Sequence, residues 1–155
     1  MQYSTPADLH AAFVSAIQGL TPSYAHGREK TWHHKPAMRE LEIEAGDLRW
    51  FYLVSNPGSP TEGGGDGFFF SGDGVSYSYD LEIVTCYTGA PTDQIDFIVD
   101  ADAADLWWMF EGLYDPTTPG LYSIEPQGNE QVDGGETNVV FVHRFRVVYN
   151  RRVDF

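Results

Sequence analysis

The stretch SYSYDLEIVTCY, Ser76 to Tyr87, limits the possible folds more than any other part of the chain. Tyr77, Tyr79, Leu81, Ile83, Thr85 and Tyr87 recur at every second residue, and Ser76, Ser78, Asp80 and Glu82 fill alternate positions. Successive side chains of a strand point to opposite faces, so this pattern describes a strand with one face on a core and the other wetter. A sheet of that kind needs a covering layer, which must come from elsewhere in the chain.

Two segments qualify. In STPADLHAAFVSAIQGL, Ser4 or Thr5 can cap a helix, Pro6 suits its first position, and Asp8 favours the positive end of the dipole. Leu9, Phe13, Ala16, Ile17 and Leu20 make one apolar stripe, which Gly19 and Pro22 terminate. The second segment is DADAADLWWMFEGLYD, with Asp100 as its cap, Asp102 in its first turn, and a stripe of Ala103, Leu106, Phe110 and Leu113. The preceding QIDFIV is consistent with either a strand or a helical approach.

The other strand signals are ELEIEAG, DLRWFYLVS, a short GLYSIEP, and the closing VVFVHRFRVVYNRRV; QGNEQVDGGE reads as a polar loop. Residues 56–75 are rich in glycine and proline and read as a long loop, with GFFFS as a short extra strand inside it. The connections between strands are too short for helical crossovers except around the second helix. The expectation is one domain over 1–155, of α+β class, with a mostly antiparallel sheet and two helices packed on one face.

Charge is unevenly distributed. Residues 1–49 carry a net of −1; Trp50 to Val142 hold 16 acidic residues and no Lys or Arg; residues 143–155 carry +3. A surface this negative repels phosphate backbones, which argues against direct nucleic-acid binding. The longest apolar runs are too short to span a membrane, and the N-terminus lacks a secretory signal pattern. Cys86 stands alone, which removes any intramolecular disulfide and any Cys-based zinc site and suits a reducing compartment.

Candidate chemistry thins out on inspection. The GGGDG and SGDG runs lack the Lys-Ser/Thr of a phosphate loop. Asp100, Asp102 and Asp105 have the look of a calcium loop, but Asp105 stands where that loop requires glycine. His33 and His34 are adjacent, so a strand turns them apart, and a third ligand such as His143 would have to arrive through the fold. Cys86 sits in an apolar strand and reads as packing. Neither a nucleophile elbow nor a Ser-x-x-Lys pair is present. The expectation is a protein without catalytic residues, metal or cofactor.

Two features remain. Trp107 and Trp108 are neighbours, so a helix cannot bury both, and Trp50 and Tyr52 oppose Phe51 and Leu53 on their strand. Aromatics on both sides of an element point to a second buried surface such as a subunit interface, the alternative being a thick core with scattered surface aromatics. The second feature is the separation of acid from base, which lets the basic edge of one copy meet the acidic edge of the next. Arg144, Arg146 and Arg152 share one strand face and Arg151 the other, so these four, with Trp107 and Trp108, are the expected interface residues.

LHAAFVSAIQGL, SYSYDLEIVTCYTG, DADAADLWWMFEGL and VVFVHRFRVVYNRRV, in this order, resemble the tail terminator (tail completion) proteins of long-tailed phages. The resemblance spans most of the chain, though not the glycine-rich insertion or AHGREKTWHHKPAM. It implies a homo-oligomeric ring, hexameric in the family, that caps the tail tube, stops its polymerisation and joins it to the head-completion or neck protein. It implies a virion protein assembled in the host cytoplasm, with genomic DNA passing through an acidic bore without specific binding. On that reading the loop bearing Glu62, Asp66, Phe68, Phe69, Phe70 and Asp73 faces the lumen or the tube. Alternative readings are another head–tail connector or a small α+β module that binds a ligand or peptide through its aromatic face.

Overall fold

The first helix, α1, runs Pro6–Gln18 and ends as expected, with the Gly19 amide still reaching the Ser15 carbonyl at 3.1 Å. It is followed by β1 His33–His34, β2 Trp50–Asn56, β3 Gly67–Ser71, β4 Gly74–Cys86, α2 Ile95–Leu113, β5 Leu121–Gly134 and β6 Val139–Arg152. These elements come from a computed structural model that describes residues 6–24, 31–36, 48–56, 67–71, 74–88, 90, 93–113, 121–134 and 139–152. The proposed caps Ser4 and Thr5 and the ELEIE strand lie outside the described residues.

The strands form one sheet in the order β1-β2-β4-β6-β5, with β3 pairing β4 beside the path. Every pairing is antiparallel except that of β1 with β2. The central β4–β6 ladder runs from Gly74↔Arg152 to Cys86↔Val140. Alternation along it sorts the faces: Tyr79, Leu81, Ile83, Phe145 and Val147 are buried, and both helices lie over them. The fold is therefore α+β, with a mostly antiparallel sheet and two helices on one face.

Rings tie the layers together. Phe13 of α1 meets Phe110 of α2 edge-on at 5.1 Å, and Phe110 meets Phe145 of β6 at 4.8 Å. Each such side chain, fully buried, stabilises the fold by roughly 1.5–3 kcal/mol from area alone. Trp32, just before β1, is also buried and meets Phe51 edge-on.

The structure corrects two expectations. α2 starts at Ile95 rather than at Asp100, so Asp100 and Asp102 sit inside the helix and QIDFIV supplies its first turns. Its buried positions are Ile95, Ile98, Val99, Asp102, Leu106 and Phe110, a helical stripe interrupted by one carboxylate. β5 is a strand of 14 residues that includes most of the segment read as a polar loop. Among the described residues it forms the sheet edge and pairs with β6 alone, and it is solvent-exposed from Glu125 to Val132, so no apolar alternation marks it. Three register shifts interrupt it, and Gly128, with φ of 94°, occupies one of them. GFFFS is a strand, as expected within the glycine-rich stretch, and stands in register with Gly74–Ser78.

Candidate assembly interface

The sheet face away from the helices carries an ordered set of charges. On β4, Asp80 and Glu82 stand directly opposite Arg146 and Arg144 of β6. Arg146 Nη1 donates to Asp80 Oδ1 at 3.3 Å. Arg144 Nη1 donates to Glu130 Oε2 of β5 at 2.7 Å, and its Nε lies 3.9 Å from Glu82. The arginine strand is thus flanked by acidic strands on both sides. These two arginines were expected to face a neighbouring copy. In the single chain each already holds a carboxylate, while remaining partly open to water.

Beyond this ladder the same face turns apolar, with Val84, Val140 and Val142 clustered and Tyr52 and Val54 packed against them. Trp50 and Tyr52 are half-buried opposite the buried Phe51 and Leu53, as their alternation predicts. Lys35 places its ammonium 4.9 Å from the centre of the Trp50 ring, within cation–π range.

The helix-side face holds a second charged cluster, fully dry. Arg49 donates from Nε and Nη2 to the two carboxylate oxygens of Asp102 on α2, at 3.0 and 3.1 Å. The Tyr87 hydroxyl donates to the same carboxylate at 2.9 Å and lies 2.7 Å from His143 Nε2. All four side chains belong to residues at most 1% exposed. Because the tyrosine proton goes to a group that only accepts, His143 Nε2 must carry hydrogen and donate to the tyrosine oxygen. That leaves Nδ1 bare, and it has no hydrogen-bond partner among the described residues.

Burial sets the protonation of this cluster. It lowers the His143 pKa to about 4, so the ring is neutral near pH 7. Burial also raises Tyr87 well above its ordinary value, keeping a neutral hydroxyl. The Asp102 carboxyl is raised by burial, against the opposing hydrogen bond and charge of Arg49. With the guanidinium and the tyrosine both donating to it, the carboxylate is the form that the geometry satisfies.

Arg49 is also a backbone hub. Its amide donates to the Cys86 carbonyl at 2.7 Å and its carbonyl accepts from His33 at 3.0 Å. Its φ of 62° is left-handed, which costs a residue with a Cβ about 1–2 kcal/mol. A third carbonyl, that of Tyr24, accepts from Nη2 at 2.9 Å. The cluster joins the segments before β2 and after β4 to β6 and α2, and so fixes how α2 is rotated about its axis. Ser23 adds a second tie, donating from backbone and hydroxyl to Asp105. Buried and bonded to one another, the four residues fasten these segments together.

Turning Asp102 inward turns another face of α2 outward. Phe97 and Trp108 are 66% and 68% exposed, and Ala101 and Ala104 lie between them at i, i+4, i+7 and i+11. This apolar strip is about 16 Å long. Asp93, Asp96, Asp100 and Glu111 around it are exposed, and the helix bears no Lys or Arg.

Of the residues singled out from sequence, Trp107 and Trp108 are not both buried: Trp107 packs partly on the core while Trp108 faces solvent, their ring centres 5.4 Å apart. Arg151 and Arg152 end β6, in register with Val75 and Gly74. Phe68, Phe69 and Phe70 are strand residues of β3, and Glu62, Asp66 and Asp73 lie outside the described residues. Sequence reasoning did not find Arg49, Asp102, Tyr87 and His143 as a cluster, nor Phe97. The only advance sign of the cluster was an aspartate at a position where the helical stripe asks for an apolar residue.

Searches of protein-family models, curated proteins and solved structures find no match to this chain.

Proposed function

We propose that this chain is a non-enzymatic structural subunit of a long-tailed phage virion, forming a ring that caps the tail tube, stops its growth and joins it to the head or neck. The phage assignment rests on the resemblance of its two helices and two long strands to tail terminator proteins. The observation that carries a role in assembly is the separation of charge, with 93 residues free of Lys and Arg between two segments that hold every such cation. Unlike charges carried by different segments of the chain favour ordered head-to-tail contact between copies over random aggregation. Exposed Trp108 supplies the kind of aromatic anchor that interfaces use. A ring lined by carboxylates would let genomic DNA slide, because DNA gains affinity only where cations displace its counterions.

The fold supports the same reading: the described ionisable clusters are cross-strand pairs or buried ties, both suited to a rigid building block. The test is negative-stain microscopy of the purified protein, alone and with tail-tube subunits. Rings with a central opening that bind tube ends and shorten tube growth are expected. A protein that remains monomeric and leaves tube length unchanged would overturn the proposal.

A further inference from the structure

We infer that the outward strip of α2, from Phe97 to Trp108, is the acidic half of a contact between copies, and that its occupant is the arginine-bearing end of β6 in a second copy. This inference rests on the ring reading and names the surfaces that would build it.

Charge selects the occupant. An apolar strip edged by Asp93, Asp96, Asp100 and Glu111 repels a second strip of the same kind, so two copies of α2 do not pack on each other. The complement must be cationic. Arg144 and Arg146 are already engaged by Asp80, Glu82 and Glu130 in their own chain. Arg151 and Arg152, adjacent at the end of β6, form the other cationic feature of that strand.

Geometry explains why the contact joins two copies. The first turns of α2 pack at the end of the sheet that holds Tyr87 and Phe141. Arg151 lies ten residues further along the same strand, roughly 34 Å away for extended antiparallel backbone. The later turns of α2 lie nearer, with Phe110 packed on Phe145, but exposed Phe97 and Trp108 face away from the sheet that carries Arg151, so one chain holds complementary surfaces that it does not bring together. A contact between unlike surfaces repeats from copy to copy and closes into a ring when the rotation permits. The fixed rotation of α2, set by the Asp102 tie, presents the strip without reorganisation on binding.

The experiment is mass photometry and sedimentation of the wild type, F97S/W108S, R151E/R152E, and a charge-exchanged D96K/D100K/R151E/R152E protein, at low and high salt. Thermal melts verify that each is folded; Phe97 and Trp108 are mostly exposed, so their replacement should leave the melt near that of the wild type. We expect the wild type to assemble, the two simpler variants to associate at least about tenfold more weakly, and the charge exchange to regain assembly. Wild-type assembly undisturbed by F97S/W108S, or no recovery on charge exchange, overturns the inference and leaves the ring reading standing. A wild type that stays monomeric overturns both.

Discussion

The sheet has two faces, and each joins arginine to carboxylate in its own way. On the helix side, Arg49 and Asp102 are dry, and Tyr87 donates to the same carboxylate. On the open side, Arg144 and Arg146 share three carboxylates across three strands in partial contact with water. Dry charges are held because losing either partner strands the other; wet charges contribute little singly and mainly balance repulsion. The buried pair specifies where α2 sits. The open ladder lets a strand rich in cations lie inside a very acidic protein.

The largest expected effect follows from stranding a charge. Asp102→Ala leaves the Arg49 guanidinium buried without a counter-charge and removes the acceptor of the Tyr87 hydroxyl. Urea unfolding should register a loss of about 3–5 kcal/mol. The double variant Arg49→Met/Asp102→Leu removes both charges and should lose clearly less than the two single changes added together. A loss under about 1 kcal/mol for Asp102→Ala would mean that the pair behaves like a solvated one.

His143 gives the next effect, read through pH. Its folded pKa of about 4 lies below the ordinary 6.5 because burial disfavours the charged ring. Between those values the unfolded chain binds a proton that the folded chain refuses, so stability falls as pH drops from 6.5 towards 4 and is level above 6.5. The full difference amounts to about 3 kcal/mol. His10 and His34 are also lowered by burial and act in the same direction. The diagnostic is therefore the contrast with His143→Gln, whose stability should fall less steeply over this window. Parallel curves for the two proteins would show that His143 is not held neutral by its site.

These same residues show what could be read in advance. Ser76 to Tyr87 declared its buried face because each inward residue there is apolar, aromatic or threonine, and the structure buries Tyr79, Leu81, Ile83 and Thr85 accordingly. α1 was legible for the same reason, with Leu9, Phe13 and Ile17 inward. The start of α2 was hidden because Asp102 occupies a core position, and aspartates near a helix start ordinarily mark the cap. Only the arrival of Arg49 from 53 positions away makes that aspartate tolerable in the core. β5 was hidden because an exposed edge strand with bulges has no reason to alternate. The Trp-Trp pair alone showed that one of the two rings could not be buried, without saying which, whereas Phe97 could not be placed while its segment was undecided between strand and helix.

The smallest expected effect belongs to the open ladder. Arg146 meets Asp80 at 3.3 Å, with both side chains in contact with water, so Arg146→Gln or Asp80→Asn should each cost less than about 1 kcal/mol. The effect should shrink further as salt is added, since screening acts on exposed charges and far less on buried ones. Asp102→Ala should show little such salt dependence, and this separates the two faces more cleanly than magnitude does. Asp80→Asn also carries a sign of its own: it removes one of 16 negative charges from the cation-free stretch, so relief of general repulsion offsets part of the lost pair. At low salt that offset is greatest, and a near-zero or slightly stabilising result for Asp80→Asn beside a measurable loss for Arg146→Gln is the expected pattern. Equal losses from both would show that the direct pair, rather than the charge balance of the whole sheet, governs this face.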